Sequence, residues 1–216
     1  LYFRAYEGTN GYELWKYDGT NAPSMVADIN SGSSSSYPGA LTVFNNVLYF
    51  RASDGTNGYE LWEYDGINAP SMVADINPGS GGSYIDHLTV FNNELYFEAD
   101  DGTYGDELWK YDGVNAPSMV ADINPMPGGS YPEDLTVFNN ELYFSADDGT
   151  LGYDLWKYDG TNAPSMVVVS IDPDFVTVFN NELYFKNYDG IHGSELWMYD
   201  GTNAPSMVAD INPVSS

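Results

Sequence analysis

Apolar residues along this chain fall in short alternating runs, and no stretch carries a 3.6-residue apolar period of helical length. LTVFNNELYFEAD (residues 88–100) holds two such runs around Asn92-Asn93. Asn tolerates positive φ, so the pair suits a two-residue type I′ hairpin loop. ELWKYDG (107–113) is a third run, closed by Asp-Gly. PSMVADI (117–123) is a fourth, entered at a Pro that lacks a donor and fits a strand start. The pattern predicts four strand types: A (LTVF), B (LYFxA), C (ELWxYD) and D (SMVADI).

The pattern repeats. Leu1, Leu48, Leu95, Leu142 and Leu183 open units spaced 47, 47, 47 and 41 residues apart, covering 1–47, 48–94, 95–141, 142–182 and 183–216. Periods of this length belong to solenoids or propellers. Short A–B, B–C and C–D links predict an antiparallel meander. The long D-to-A link, NPGSGGSYIDH at 77–87, hands the outer strand of one sheet to the inner strand of the next. That is the plan of a propeller blade. The expected fold is all-β, a single domain over 1–216, and a five-bladed β-propeller of four-stranded antiparallel blades.

Strand counting leaves one blade short. There are five B, C and D strands but only four A strands, at 41–44, 88–91, 135–138 and 176–179. Either the first blade has three strands, or a strand-donating chain or homo-oligomer supplies the fourth. Hairpin turns are expected at Asn45-Asn46, Asn92-Asn93, Asn139-Asn140 and Asn180-Asn181. Trp15, Trp62, Trp109, Trp156 and Trp197 recur in the C strands and are expected to fill the wedge between blades. Met, Ala and Ile of SMVADI are expected to share one strand face.

Composition narrows the function. Of 216 residues, 43% are hydrophobic and 16% aromatic, enough for a packed core. Six Lys and Arg stand against 32 Asp and Glu, a net charge of −26. That field repels phosphate backbones and anionic bilayers, so nucleic acid is not an expected partner. No apolar run approaches 18 residues, so no membrane insertion is expected. Without Cys there is neither a disulfide nor a thiolate metal site. The chain begins inside a repeat without a signal peptide and reads as an excised or processed piece.

ELWKYDGT (13–20), and Asp-Ile-Asn-Pro-Gly (75–79) followed by Gly-Ser and LTVF, resemble the bacterial ELW-x-x-DGT repeat of large secreted or surface proteins. The resemblance covers essentially the whole chain and implies an extracellular or cell-surface location. Where family members continue with Gly-Thr after the turn, this chain reads Asn-Ala-Pro-Ser. In architecture the plan also resembles Kelch blades and tachylectin-type five-bladed lectins.

Catalytic chemistry has little to stand on. His87 and His192 occupy unrelated repeat positions, and no nucleophile–base set can be argued, so no catalytic residue and no enzyme is expected. No cofactor is required. Calcium is a candidate ligand: EADDGTYGDE (98–107) and SADDGTLGYD (145–154) set carboxylates around a Gly, with Asp100, Asp101, Asp147 and Asp148 as hard oxygen donors. Solvated turn acids are the alternative. The D–A crossovers and B–C loops should share one face. Tyr37, Tyr84 and Tyr131 recur on it at 47-residue intervals, beside Asp86, Glu133 and Asp134. These Tyr either stack on sugar rings or pin the crossovers to the blades. The expected function is a non-enzymatic binding or display module whose partner is a glycan or another surface protein. A structural building block and a calcium-dependent adhesion module are the alternatives. In the fourth unit VVVSIDPDFVTVF (167–179) leaves only Asp172, Pro173, Asp174 and Phe175 as the crossover, so a gap in the loop rim is expected there.

Overall fold

The computed structural model describes residues 1–125, 128–150, 152–168, 172–211 and 213, and these form five antiparallel sheets without a helix. Blade one is β1 (Tyr2–Tyr6), β2 (Tyr12–Lys16) and β3 (Ser24–Ala27). Blade two is β4 (Gly39–Phe44), β5 (Val47–Ser53), β6 (Tyr59–Tyr64) and β7 (Ser71–Ala74). Blade three is β8 (Asp86–Phe91), β9 (Glu94–Asp100), β10 (Asp106–Tyr111) and β11 (Ser118–Ala121). Blade four is β12 (Glu133–Phe138), β13 (Glu141–Asp147), β14 (Tyr153–Tyr158) and β15 (Ser165–Val168). Blade five is β16 (Asp174–Phe179), β17 (Glu182–Tyr188), β18 (Ser194–Tyr199) and β19 (Ser206–Ala209). Strands within each blade pair in sequence order, so every sheet is a meander. The chain is a five-bladed β-propeller whose first blade has three strands.

Local chemistry explains the connections. Both residues of each Asn-Asn loop sit at positive φ, 47° and 59° for Asn92 and Asn93, as a type I′ turn demands. Each C–D turn is closed by its Asp. Asp112 Oδ1 accepts the N–H groups of Val114 and Asn115, while its Oδ2 accepts from the Asn115 amide. These bonds hold the Asp112 carboxyl below the usual carboxylate range. The same box stands at Asp18, Asp65, Asp159 and Asp200.

Alternation along strand B assigns the two faces of a blade. Leu48, Phe50 and Ala52 point back to the preceding blade; Tyr49 points forward to the next. Leu14 packs forward with Leu48, Phe50 and Trp62, and three further apolar clusters join blades two and three, three and four, and four and five. Each fully buried Phe or Leu in them contributes roughly 1.5–3 kcal/mol. Trp62, Trp109, Trp156 and Trp197 pack in these clusters as wedges. Trp15 belongs to none of them, since no described blade packs against the rear face of blade one.

Two expectations change. A bulge between strands C and D pairs Leu61 with Ala74 but Trp62 with Met72. Met72 therefore joins Trp62 at the rear face, while Val73 and Ile76 pack forward, so the D strand does not keep Met, Ala and Ile on one face. In the fourth unit β15 ends at Val168 and β16 starts at Asp174, so Asp174 and Phe175 belong to the strand rather than the link. Part of that link, residues 169–171, lies outside the described residues.

Among the described residues the arc also stays open. Along the inner edge β4 contacts β8, β8 contacts β12 and β12 contacts β16. Thr42, Thr89 and Thr136 each donate through Oγ1 to the next blade, to Leu88, Leu135 and Val176 carbonyls. Blade one lacks an inner strand, so it offers Thr177 no such acceptor. Among the described residues no apolar cluster joins blade five to blade one.

Candidate functional site

The Glu that recurs in the ELW triplets holds the loop face together. Glu60 is fully buried; its carboxylate accepts from Ser83 N, Ser83 Oγ and Ile76 N. Glu13 and Glu107 hold Ser36 and Ser130 in the same way. Burial pushes the Glu60 and Glu107 carboxyls up, against the pull of these hydrogen bonds. Asn77 adds a bond to the Gly82 carbonyl, and its Oδ1 lies 2.7 Å from where a Cβ on Gly102 would sit. The Gly of the next blade's DGT turn is therefore fixed by space as well as by its φ of 78°. Backbone bonds from Ser53, Asp100 and Asp147 to the Ser36, Ser83 and Ser130 carbonyls tie crossover to neighbouring blade. Crossovers and B–C loops thus share one face.

Ser and Glu pin the crossovers, and the tyrosines that follow present exposed rings on the same face. Tyr37, Tyr84 and Tyr131 are exposed and sit at φ of 46°, 50° and 48°, a left-handed region that bulky residues rarely occupy. Tyr37 N and Ser36 N both donate to the Tyr12 carbonyl, which keeps the strained residue in place. The Tyr37 ring stacks on Tyr12 at 5.5 Å.

Charge distinguishes the blade junctions. One B-strand position reads Arg4, Arg51, Glu98, Ser145 and Lys186 in successive blades, and the start of strand C reads Tyr12, Tyr59, Asp106, Tyr153 and Ser194. Arg4, Tyr37, Arg51, Tyr59 and Tyr84 line one cleft of about 310 Å³. It contains both arginines of the chain. Arg51 lies over the Tyr59 ring and spends Nη1 on Asp86 Oδ2 and the Ile85 carbonyl, each at 3.0 Å. Arg4 lies 5.8 Å from the Tyr12 centroid and forms no ion pair among the described residues.

At the next junction the sign reverses. Glu98 is pushed up to about 8 by burial, then by the charges of Asp106, Glu133 and Asp86, with Arg51 opposing. Tyr153 beyond it is pushed up to about 12, by burial and then by Glu133 and Glu98. Asp86 and Asp134 instead line the inner mouth of the channel with His87. Asp134 Oδ2 accepts from Val176 N and so ties blade four to blade five. The five glycan candidates are therefore split: Tyr37 and Tyr84 share the arginine cleft, Asp86 serves Arg51, and Tyr131 and Asp134 stand elsewhere. Arg4, Arg51 and Tyr59 were the partners to find. Two arginines 47 residues apart, alone of their kind, were the available signal.

The acidic turns close on themselves. Asp100 Oδ1 accepts from Gly102 N, Asp101 Oδ1 from Thr103 and Tyr104 N, Asp147 Oδ1 from Gly149 N and Asp148 Oδ1 from Thr150 N. No group of three or more metal-ligating side chains gathers among the described residues.

No family model and no curated relative matches the chain. Solved structures that resemble it share the propeller fold at low identity. The propeller domain of the Trilobed protease from Pyrococcus furiosus, described as having an open velcro topology, superposes with a TM-score of 0.61 at 8% identity. That match covers 94% of this chain and 59% of the other. Pyrococcus horikoshii acylaminoacyl peptidase gives 0.58 at 10% identity over 93% and 31%. A puromycin hydrolase mutant gives 0.62 at 13% identity over 91% and 32%. The chain spans less than two thirds of each, and the likeness is one of fold.

Proposed function

We propose that this propeller is a non-enzymatic, extracellular binding and display module of the ELW-x-x-DGT type, and that its ligand is a glycan bearing a carboxylate. The observation that carries this reading is the gathering of both arginines with three tyrosines in one cleft of a chain with net charge −26. Tyrosine faces suit the apolar side of a sugar ring. Guanidinium groups bind carboxylates through paired donors, and such charge-assisted bonds are the strong ones. Among the described residues Arg4 meets the Tyr12 ring and no acid, and Arg51 keeps Nη2 and Nε beyond its bonds to Asp86 and Ile85. The reading needs no cofactor. Because the charged position changes from blade to blade, the face presents one arginine cleft rather than a ring of equal sites.

Titration calorimetry with a glucuronic-acid oligosaccharide and with its neutral glucose counterpart, each with and without EDTA, tests this. Binding of the acidic sugar alone, unmoved by EDTA and weakened roughly 10-fold or more by Arg4→Ala, is the expected result, since a bond to a charged group is worth about 1.5–3 kcal/mol. Equal binding of both sugars, or none of either, rejects the reading; loss in EDTA would restore the calcium-dependent alternative. A structural building block is the second reading, favoured by the apolar faces left open on blades one and five.

A further inference from the structure

The three apolar cores that join blades two to five obey one rule. The forward face of a blade presents an inner-strand Phe, a second-strand Tyr and a third-strand Leu; the rear face of the next presents Leu, Phe, Trp and Tyr. Phe44, Tyr49 and Leu61 meet Leu95, Phe97 and Tyr111 in this manner. Rings chain across each seam: Phe44 on Tyr49 on Tyr111, Phe91 on Tyr96 on Tyr158, Phe138 on Tyr143 on Tyr199.

The same residues appear once more at each end of the arc, with nothing opposite them among the described residues. Phe179 is 63% exposed, where Phe44, Phe91 and Phe138 are each 3% exposed. Leu196 is exposed where Leu14, Leu61, Leu108 and Leu155 are fully buried. The ring series stops at Phe179 and Tyr184. At the other end Leu1 is 80% exposed, against 5% for Leu48, and Tyr17 meets no ring where Tyr64 meets Tyr2. Each open face has a known complement, because the chain itself builds the full pairing three times.

We propose that the forward face of blade five docks on the rear face of blade one of a second copy, continuing the blade series from chain to chain. The contact joins two different surfaces, so it is heterologous and propagates until it closes. Apart from the inner strand that blade one lacks, it repeats an interface that already packs well within the chain, which is why a second copy fits better than an unrelated protein. Each copy carries a charge of −26, so the copies repel at long range and association should strengthen as salt screens that repulsion.

Sedimentation velocity and light scattering on the full chain across a concentration and salt series give the first test. The mass should reach or exceed twice that of one chain and rise with concentration. Two variants then separate the ends: Phe179→Asp blocks the forward face and Tyr17→Asp the rear face. Each alone should stay monomeric with its strand circular dichroism intact. Mixed, they should form a one-to-one dimer and nothing larger, because each supplies the face the other lacks. If either variant loses its fold, Leu196→Asp or Leu1→Asp takes its place, both at exposed positions. A wild-type monomer at all concentrations, variants that still assemble singly, or a mixture that stays monomeric overturns the proposal.

Discussion

Glu107 shows how far a residue's role depends on chain that is distant in sequence. In ELWKYDG it reads as one more acid on a very acidic chain, yet it is fully buried and accepts bonds from Ile123, Asn124 and Ser130. Those donors lie 16, 17 and 23 residues away. Glu107→Ala should leave buried donors without an acceptor and destabilise by about 1–3 kcal/mol in denaturant unfolding; Glu107→Gln should retain part of the loss. Glu98 is predicted through its titration. Its carboxyl ordinarily titrates near 4.5 and is pushed up to about 8 in the fold. The folded state therefore holds a proton that the unfolded chain has released, and stability falls as pH rises from about 4.5 to about 8. The melting temperature of Glu98→Gln should fall less over that window than that of the parent; parallel slopes would show that Glu98 does not titrate as described.

Elements were the most legible level, because period-two alternation and turn residues act within a few positions. The Asn-Asn hairpins illustrate it: the residue type and the required φ agree at all four loops. Asn93→Val should cost about 1–2 kcal/mol by forcing a branched side chain into the left-handed region, while Asn93→Gly should be nearly neutral. Thermal unfolding of the two variants checks the contrast. The inner strands were less legible. Ala40, His87, Asp134 and Phe175 sit at φ of 51° to 58°, at a bulge that shifts the register of strands A and B. Four different residue types occupy one strained position, so no local preference announces it; packing around the channel imposes it.

At the scale of the whole molecule, position in the arc decides what an identical residue is worth. Trp62 is held between blades one and two, so Trp62→Ala should cost about 3–5 kcal/mol, as large core truncations do. Trp15 stands in the same triplet with no described blade packed behind it, and Trp15→Ala should cost much less at low concentration. A gap that narrows as protein concentration rises is expected if a second copy covers Trp15; equal costs throughout would contradict an open arc. The amino-acid sequence by itself determined the strands, their order within a blade, the turns between them and the number of blades, since all of these arise from contacts near in the chain and are written five times over. Only the tertiary structure decided which acids are buried, which tyrosines share a cleft with Arg4 and Arg51, and whether blade five meets blade one. Those outcomes depend on the angle between neighbouring sheets and on loops that return from 16 to 24 residues away, and no local pattern encodes either.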